Sequence, residues 1–176
     1  MPTIISHPAV LLAFHPAFRK YQLPSTIWIA AAICSIVPDF DVIGFQFGIR
    51  YGDLLGHRGL THSILFAFLL SAILTLFIRQ TQRFATFVFL FLCTLSHGIL
   101  DAFTDGGLGI AFFSPFSNTR YFFPWRPLEV SPIGISGFLS GPALSVLMSE
   151  IKFIWIPCAL IFLLGRGLHG RIQDNS

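Results

Sequence analysis

From Ser63 to Ile78 the chain carries no charged residue and is nearly all Leu, Ile, Phe and Ala. Such a run has few ways to fold. In hydrocarbon every backbone N–H and C=O must find its partner within the protein, which leaves helices or closed barrels. The apolar residues here are continuous rather than alternating, so helices are expected. Three runs read as spanning helices: about Pro24 to Val37 (extendable backwards), Ser63 to Ile78, and Phe84 to about Leu100. A fourth covers roughly Phe153 to Leu164. Each is slightly shorter than the ~20 residues that cross a bilayer, so flanking residues must extend it or its ends sink into the interface. Pro132 to Leu147 is apolar but broken by Gly134, Gly137, Gly141 and Pro142, which fits a re-entrant or interfacial segment better than a span.

Composition agrees. Only 11% of the 176 residues are charged, where a soluble domain carries about 25%. The expectation is one all-α domain over residues 1–176: a multi-pass membrane bundle of about four spanning helices in contact with lipid. The net charge of +3 is scattered, with no basic run and no aromatic–basic interleaving, so direct nucleic-acid binding is not expected. Cys34, Cys93 and Cys158 lie in separate apolar segments without a CxxC pair and read as packing residues. The N-terminus has no basic n-region and does not read as a signal peptide. Arg19, Lys20, Arg79, Arg83, Arg166 and Arg171 flank the runs on one side, against Arg50, Arg58, Arg120 and Arg126 on the other. The first set placed inside gives four alternating spans with both termini cytoplasmic.

Against this apolar background the ionisable groups cluster. They are Pro38-Asp39-Phe40-Asp41, His57-Arg58-Gly59-Leu60-Thr61-His62-Ser63 and Ser96-His97-Gly98-Ile99-Leu100-Asp101. Ionisable groups at a membrane edge are costly and read as functional. The topology brings all three clusters to one face, the external one, and their His and Asp residues supply the ligand chemistry of a hydrolytic metal site, the alternative being polar groups that cap and solvate helix ends. His97 and Asp101, four apart, share a helix face. His57 and His62, five apart, do not; His57 belongs to the loop around Gly56 and Gly59, and His62 to a first helical turn that Thr61 or Ser63 caps. Asp39 and Asp41 share a face only if the chain is extended after Pro38; one then binds metal while the other positions a ligand or water, or takes a proton. Arg58 suits an anion, ideally a phosphate, or else a lipid headgroup. His7 joins the site only if residues 8–20 fold back. His15 reads as interfacial and His169 as solvated; Asp105 and Glu129 are further carboxylates near the clusters. Arg120, Tyr121, Trp125 and Arg126 suit either an amphipathic phosphate-bearing substrate or interfacial anchoring.

The succession PDFD, GHRGLTHS, SHGILDAFTDGG and FFPWRPLEVSPIG, over about residues 3 to 140, resembles the YdjM-like family of membrane-bound metal-dependent hydrolases. Members are also described as LexA-binding, inner-membrane-associated hydrolases. That family is in turn distantly similar to the all-helical zinc phospholipase C and single-strand nuclease group. There a metal is held by an Asp, a His from a second helix, and a His-x-x-x-Asp pair from a third. The resemblance implies Asp41 (or Asp39), His62 (or His57), His97 and Asp101 as ligands, with His7 matching the ligand from the N-terminal region. The chain departs from that group after His97, where the only histidine is His169, so one or two ions, zinc first, are expected rather than three. The implied activity is hydrolysis of a phosphoester, phospholipid-like in one form, at the inner membrane. Asp39 or Asp41 would accept a proton, Arg58 would neutralise the phosphoryl charge, and Arg126 would help to hold the substrate. The rival reading is a membrane binding or regulatory protein whose metal is structural. Transport is disfavoured, because helices two and three carry no ionisable residue at mid-depth.

Overall fold

A computed structural model describes residues 1–134, 137–138, 141 and 143–173, with the side chains of 168–173 excepted. The reading of residues 132–147 as re-entrant therefore falls partly outside the described residues, and His169 falls among the side chains that are not described. The fold is all-helical. After a short 3₁₀ turn at His7–Ala9 come α1 (Val10–Phe18), α2 (Ser25–Cys34), a 3₁₀ stretch at Val37–Phe47, a 3₁₀ turn at Leu60–His62, α3 (Ile64–Phe77) and α4 (Arg83–Ala102). The chain closes with α5 (Ala143–Glu150), a π-helical segment at Ile151–Trp155, and α6 (Ile156–Gln173).

Among the described residues two helices are long and apolar enough to cross a membrane, Arg83–Ala102 and Ala143–Gly167. The pair α2 and Val37–Phe47, bent by 41°, makes a third if it counts as one broken span. The expected count of four is thus reduced to two or three. The difference lies partly in α3, whose 14 residues extend only about 21 Å against a hydrocarbon thickness of about 30 Å.

The first apolar run also divides. Gln22 turns the chain in a left-handed conformation (φ 50°) after Tyr21, and Pro24 opens α2. α1 is thereby a separate helix that runs back beside α2, which carries the N-terminal segment to the end of the bundle where α2 and α4 finish. The sequence-based topology put it at the opposite end. Phe18 from α1, Trp28 from α2 and Phe89 from α4 lock the three helices, with ring centroids 4.7 Å (Phe18–Phe89) and 4.6 Å (Trp28–Phe89) apart. Ile27, Ala31, Leu90 and Cys93 complete that core. α6 runs alongside α1. His15 meets Phe162 at 5.0 Å, and a Cβ on Gly165 would stand 2.4 Å from Pro16, so this approach requires glycine. All three cysteines are free and buried, as packing residues would be. Phe77, Phe84, Leu144 and Leu164 are exposed on the outside of the bundle, a surface suited to lipid.

Candidate metal centre

His97 and Asp101 lie on the inner face of α4, both fully buried. The ring of His97 is fixed by its Nδ1, 2.8 Å from the carbonyl oxygen of Ser35 just past the end of α2. A carbonyl only accepts, so Nδ1 carries the proton and Nε2 is left with its lone pair. From Val37 to Phe47, Pro38 included, the chain is 3₁₀-helical, at about three residues per turn, so residues two apart point to different sides. Asp39 accordingly turns to α4 and Asp41 turns to the following loop; the extended geometry in which they would share a face does not occur.

His62 enters from that loop. It ends the 3₁₀ turn before Ser63, whose hydroxyl accepts from Phe66 N at 3.0 Å and caps α3. Its backbone crosses α4 at Gly98, where a Cβ would sit 3.0 Å from the His62 carbonyl oxygen. Thr61 is no cap; its hydroxyl donates to Asp41 Oδ2 at 2.7 Å. His62 Nδ1 is 3.2 Å from the same Asp41 oxygen. A carboxylate only accepts, so His62 too carries a proton on Nδ1 and turns Nε2 inward as its ligand atom.

The two Nε2 atoms meet at 3.1 Å. Asp39 Oδ1 is 3.2 Å from His97 Nε2 and 3.7 Å from His62 Nε2. Asp101 Oδ2 is 3.5 Å from His62 Nε2. Asp39, His62, His97 and Asp101 thus offer four ligand atoms, all within 4.8 Å of one another. A tetrahedral zinc ion with ligands at about 2.0–2.1 Å separates them by about 3.3 Å. Two facing lone pairs and two carboxylate oxygens repel unless a cation lies between them. The donor set fits a divalent metal, and without one a proton on His62 serves. Burial disfavours that charge, but hydrogen bonds to Asp101, Asp39 and Asp41 outweigh it and raise the His62 pKa to about 10.

The other oxygen of each carboxylate faces outward from this group. Asp39 Oδ2 and Asp101 Oδ1 are each 3.9 Å from His7 Nε2. These two outer oxygens, and both ring nitrogens of His7, have no hydrogen-bond partner. His7 stacks on His97 with ring centroids 3.8 Å apart, and burial above all holds its pKa down to about 3.

The second metal-binding combination of the described residues is Asp41, His57 and His62. Asp41 is saturated: Oδ1 takes His57 Nδ1 at 2.7 Å, and Oδ2 takes Thr61 Oγ1 and the Arg58 backbone N–H at 3.2 Å as well as His62. Arg58, expected at a substrate anion, is fully buried behind Asp101, with Nε 3.1 Å from Asp101 Oδ2. Its Nη1 donates to Gly106 O at 2.7 Å and its Nη2 to Thr104 Oγ1 at 2.9 Å. Arg126 is exposed, with its guanidinium 4.9 Å over the Phe122 ring. Arg120 binds the carbonyls of His57, Gly109 and Tyr51 and so ties two loops together. Asp105 ties two segments of the same loop region together by accepting from Val130 N at 2.8 Å. His15 packs between Trp28 and Phe162, away from the cluster. Sequence reasoning passed over Thr104, Ser35 and Glu150. Only Glu150 left a signal, a lone acid between apolar runs.

Helices built for a bilayer around a buried His/Asp cluster of metal-binding composition define an integral membrane protein with a candidate metal centre. The family model of the YdjM inner membrane protein matches residues 1–171. The chain belongs to that family. Among curated proteins it is 35% identical over 164 residues to "Inner membrane protein YbcI" of Escherichia coli (strain K12), covering 92% of this chain and 95% of the relative. Those descriptions place the relatives in the inner membrane, and the spanning helices here agree with a multi-pass protein of that membrane. No solved structure matches the chain.

Proposed function

We propose that this protein is a membrane-embedded metal-dependent hydrolase of phosphoesters carried on amphipathic, phospholipid-like molecules, with its site at the external face of the inner membrane. One observation carries the reading: the Nε2 atoms of two buried histidines and one oxygen from each of two buried carboxylates face one another, all within 4.8 Å. That set suits zinc, which Asp39 Oδ1, His62 Nε2, His97 Nε2 and Asp101 Oδ2 would hold. When bound, such an ion supplies a Lewis acid that brings the pKa of a coordinated water towards neutrality. The chain does the rest. Asp41 and the Ser35 carbonyl hold the two imidazoles in the ligating tautomer, and Asp41 also fixes His57. Arg58 balances the charge of Asp101. Asp39 Oδ2, unpartnered, takes a proton from water. His7, with Asp39 Oδ2 and Asp101 Oδ1, forms a second and weaker cation position that silences that base when filled. Phe40 and Phe47 on the 3₁₀ stretch, with Phe116 and Trp125 on the loops after α4, are exposed, and there they meet lipid headgroups and acyl chains. Arg126 sits on the same loops and receives the substrate phosphate.

A second reading has its own support. Four protein ligands, none more than 4% exposed, resemble the closed coordination of a structural metal, which would make this a membrane binding or regulatory protein. Zinc content and hydrolysis of a chromogenic phosphodiester, for wild type beside Asp39→Asn and His97→Ala/Asp101→Ala, test both. The hydrolase reading expects about one tightly held ion per chain, lost in the double variant, and turnover lost in Asp39→Asn. Bound metal without turnover on any phosphoester leaves the structural reading. No metal uptake removes both.

A further inference from the structure

Glu150 is fully buried at the end of α5, inside the apolar span Ala143–Gly167. An ionisable group there is expensive unless it does something. Its carboxylate is spent on the N-terminal segment. It accepts from Thr3 Oγ1 at 2.6 Å and Ser6 Oγ at 2.7 Å, and also from the backbone N–H of Thr3. Ser6, itself fully buried, accepts in turn from Trp155 Nε1 at 2.9 Å. The π-helical segment makes this double grip available. In an α-helix residues five apart lie about 140° around the axis from each other, whereas i→i+5 closure makes them neighbours. Glu150 and Trp155 bracket that segment and converge on one serine.

The residue after Ser6 is His7. Its ring stands over Asp39 Oδ2 and Asp101 Oδ1 at 3.9 Å, and neither ring nitrogen makes a hydrogen bond. No hydrogen bond of its own side chain holds it there, and beyond its stack on His97 its placement falls to the backbone on either side. On one side is the Glu150 grip. On the other, Ala9 packs against Ile154 and Cys158 of the same closing helix.

We propose that Glu150 is a positioning residue, a latch on the closing helix that docks Thr3 and Ser6 and thereby fixes His7 over the outer oxygens of Asp39 and Asp101. The consequence for a second cation rests on the function proposed above; the latch itself does not.

The test is carbethoxylation of histidines by diethylpyrocarbonate on the full chain in detergent with EDTA, read residue by residue by peptide mass spectrometry. His62 and His97 serve as internal controls. In wild type His7 reacts slowly. In Glu150→Gln and in the gentler Ser6→Ala its rate rises roughly tenfold or more relative to His97, as local opening of one docked segment requires. His7 no more reactive than in wild type in both variants overturns the proposal, and so does an equal rise at His7, His62 and His97. A zinc titration separates the two ideas. Loss of the latch in Ser6→Ala removes only the weaker of two binding events, whereas a wild type that takes up no zinc defeats the hydrolase reading and leaves the labelling result to decide the latch.

Discussion

Asp41→Asn keeps the shape of the side chain and changes one oxygen to an amide. Four donors converge on the Asp41 carboxylate: His57 Nδ1, Thr61 Oγ1, His62 Nδ1 and the Arg58 N–H, at 2.7 to 3.2 Å. A carboxylate receives all four, but an amide has one oxygen and an NH2 that itself donates. If the oxygen stays with His57, the NH2 faces His62 Nδ1 and forces the proton to Nε2, where a metal ligand needs its lone pair. If the oxygen turns to His62, His57 and its loop lose their anchor. Replacing a partner that orients a metal-bound histidine costs about 10–100-fold in affinity, or about 1.4–2.7 kcal/mol. Competition against a chromogenic zinc chelator in detergent should show that loss with the stoichiometry of the tight event unchanged. An affinity within about twofold of wild type would refute the reasoning, because His62 would then not depend on Asp41 for its tautomer.

Three further outcomes are expected. Gly107 has φ +89°, and a Cβ there would lie 2.6 Å from Arg58 Nη1; Gly107→Ala should cost about 2–4 kcal/mol, seen as a lower thermal midpoint in detergent. The folded-state pKa of His62, raised to about 10, keeps its proton on at neutral pH when no ion is bound. Zinc must displace that proton, so apparent affinity should rise about tenfold per pH unit from about pH 6 to 8, with one proton released on binding; a pH-independent affinity would contradict this. His7→Ala should abolish inhibition by excess zinc while leaving the tight ion in place, as measured by turnover against free zinc and by metal content.

Much of the site was legible because its chemistry is local. PDFD, HRGLTH and the His97–Asp101 pair stand out as polar groups in an apolar chain, and helical spacing alone puts the last two on one face. The division of labour within PDFD was not legible. Asp39 and Asp41 part company because the chain there is 3₁₀ rather than extended, and that depends on how the loop packs under α4. Arg58 read as an anion ligand, or else a lipid-headgroup anchor, because it stands between His57 and His62. It is buried because Thr104, Gly106 and Asp101 surround it from more than forty residues away.

The sequence by itself determined that the chain is helical, lives in a bilayer and gathers His and Asp at helix ends. Those properties follow from composition and short-range periodicity, where each residue's free energy depends on its immediate neighbours and its solvent. Only the tertiary structure decided that residues 8–20 fold back, that His7 reaches the carboxylates, and that Glu150 holds the segment before it. Thr3 and Glu150 lie 147 residues apart. Their contact forms because a buried carboxylate must find donors somewhere, and which ones it finds depends on how the helices pack rather than on any local pattern.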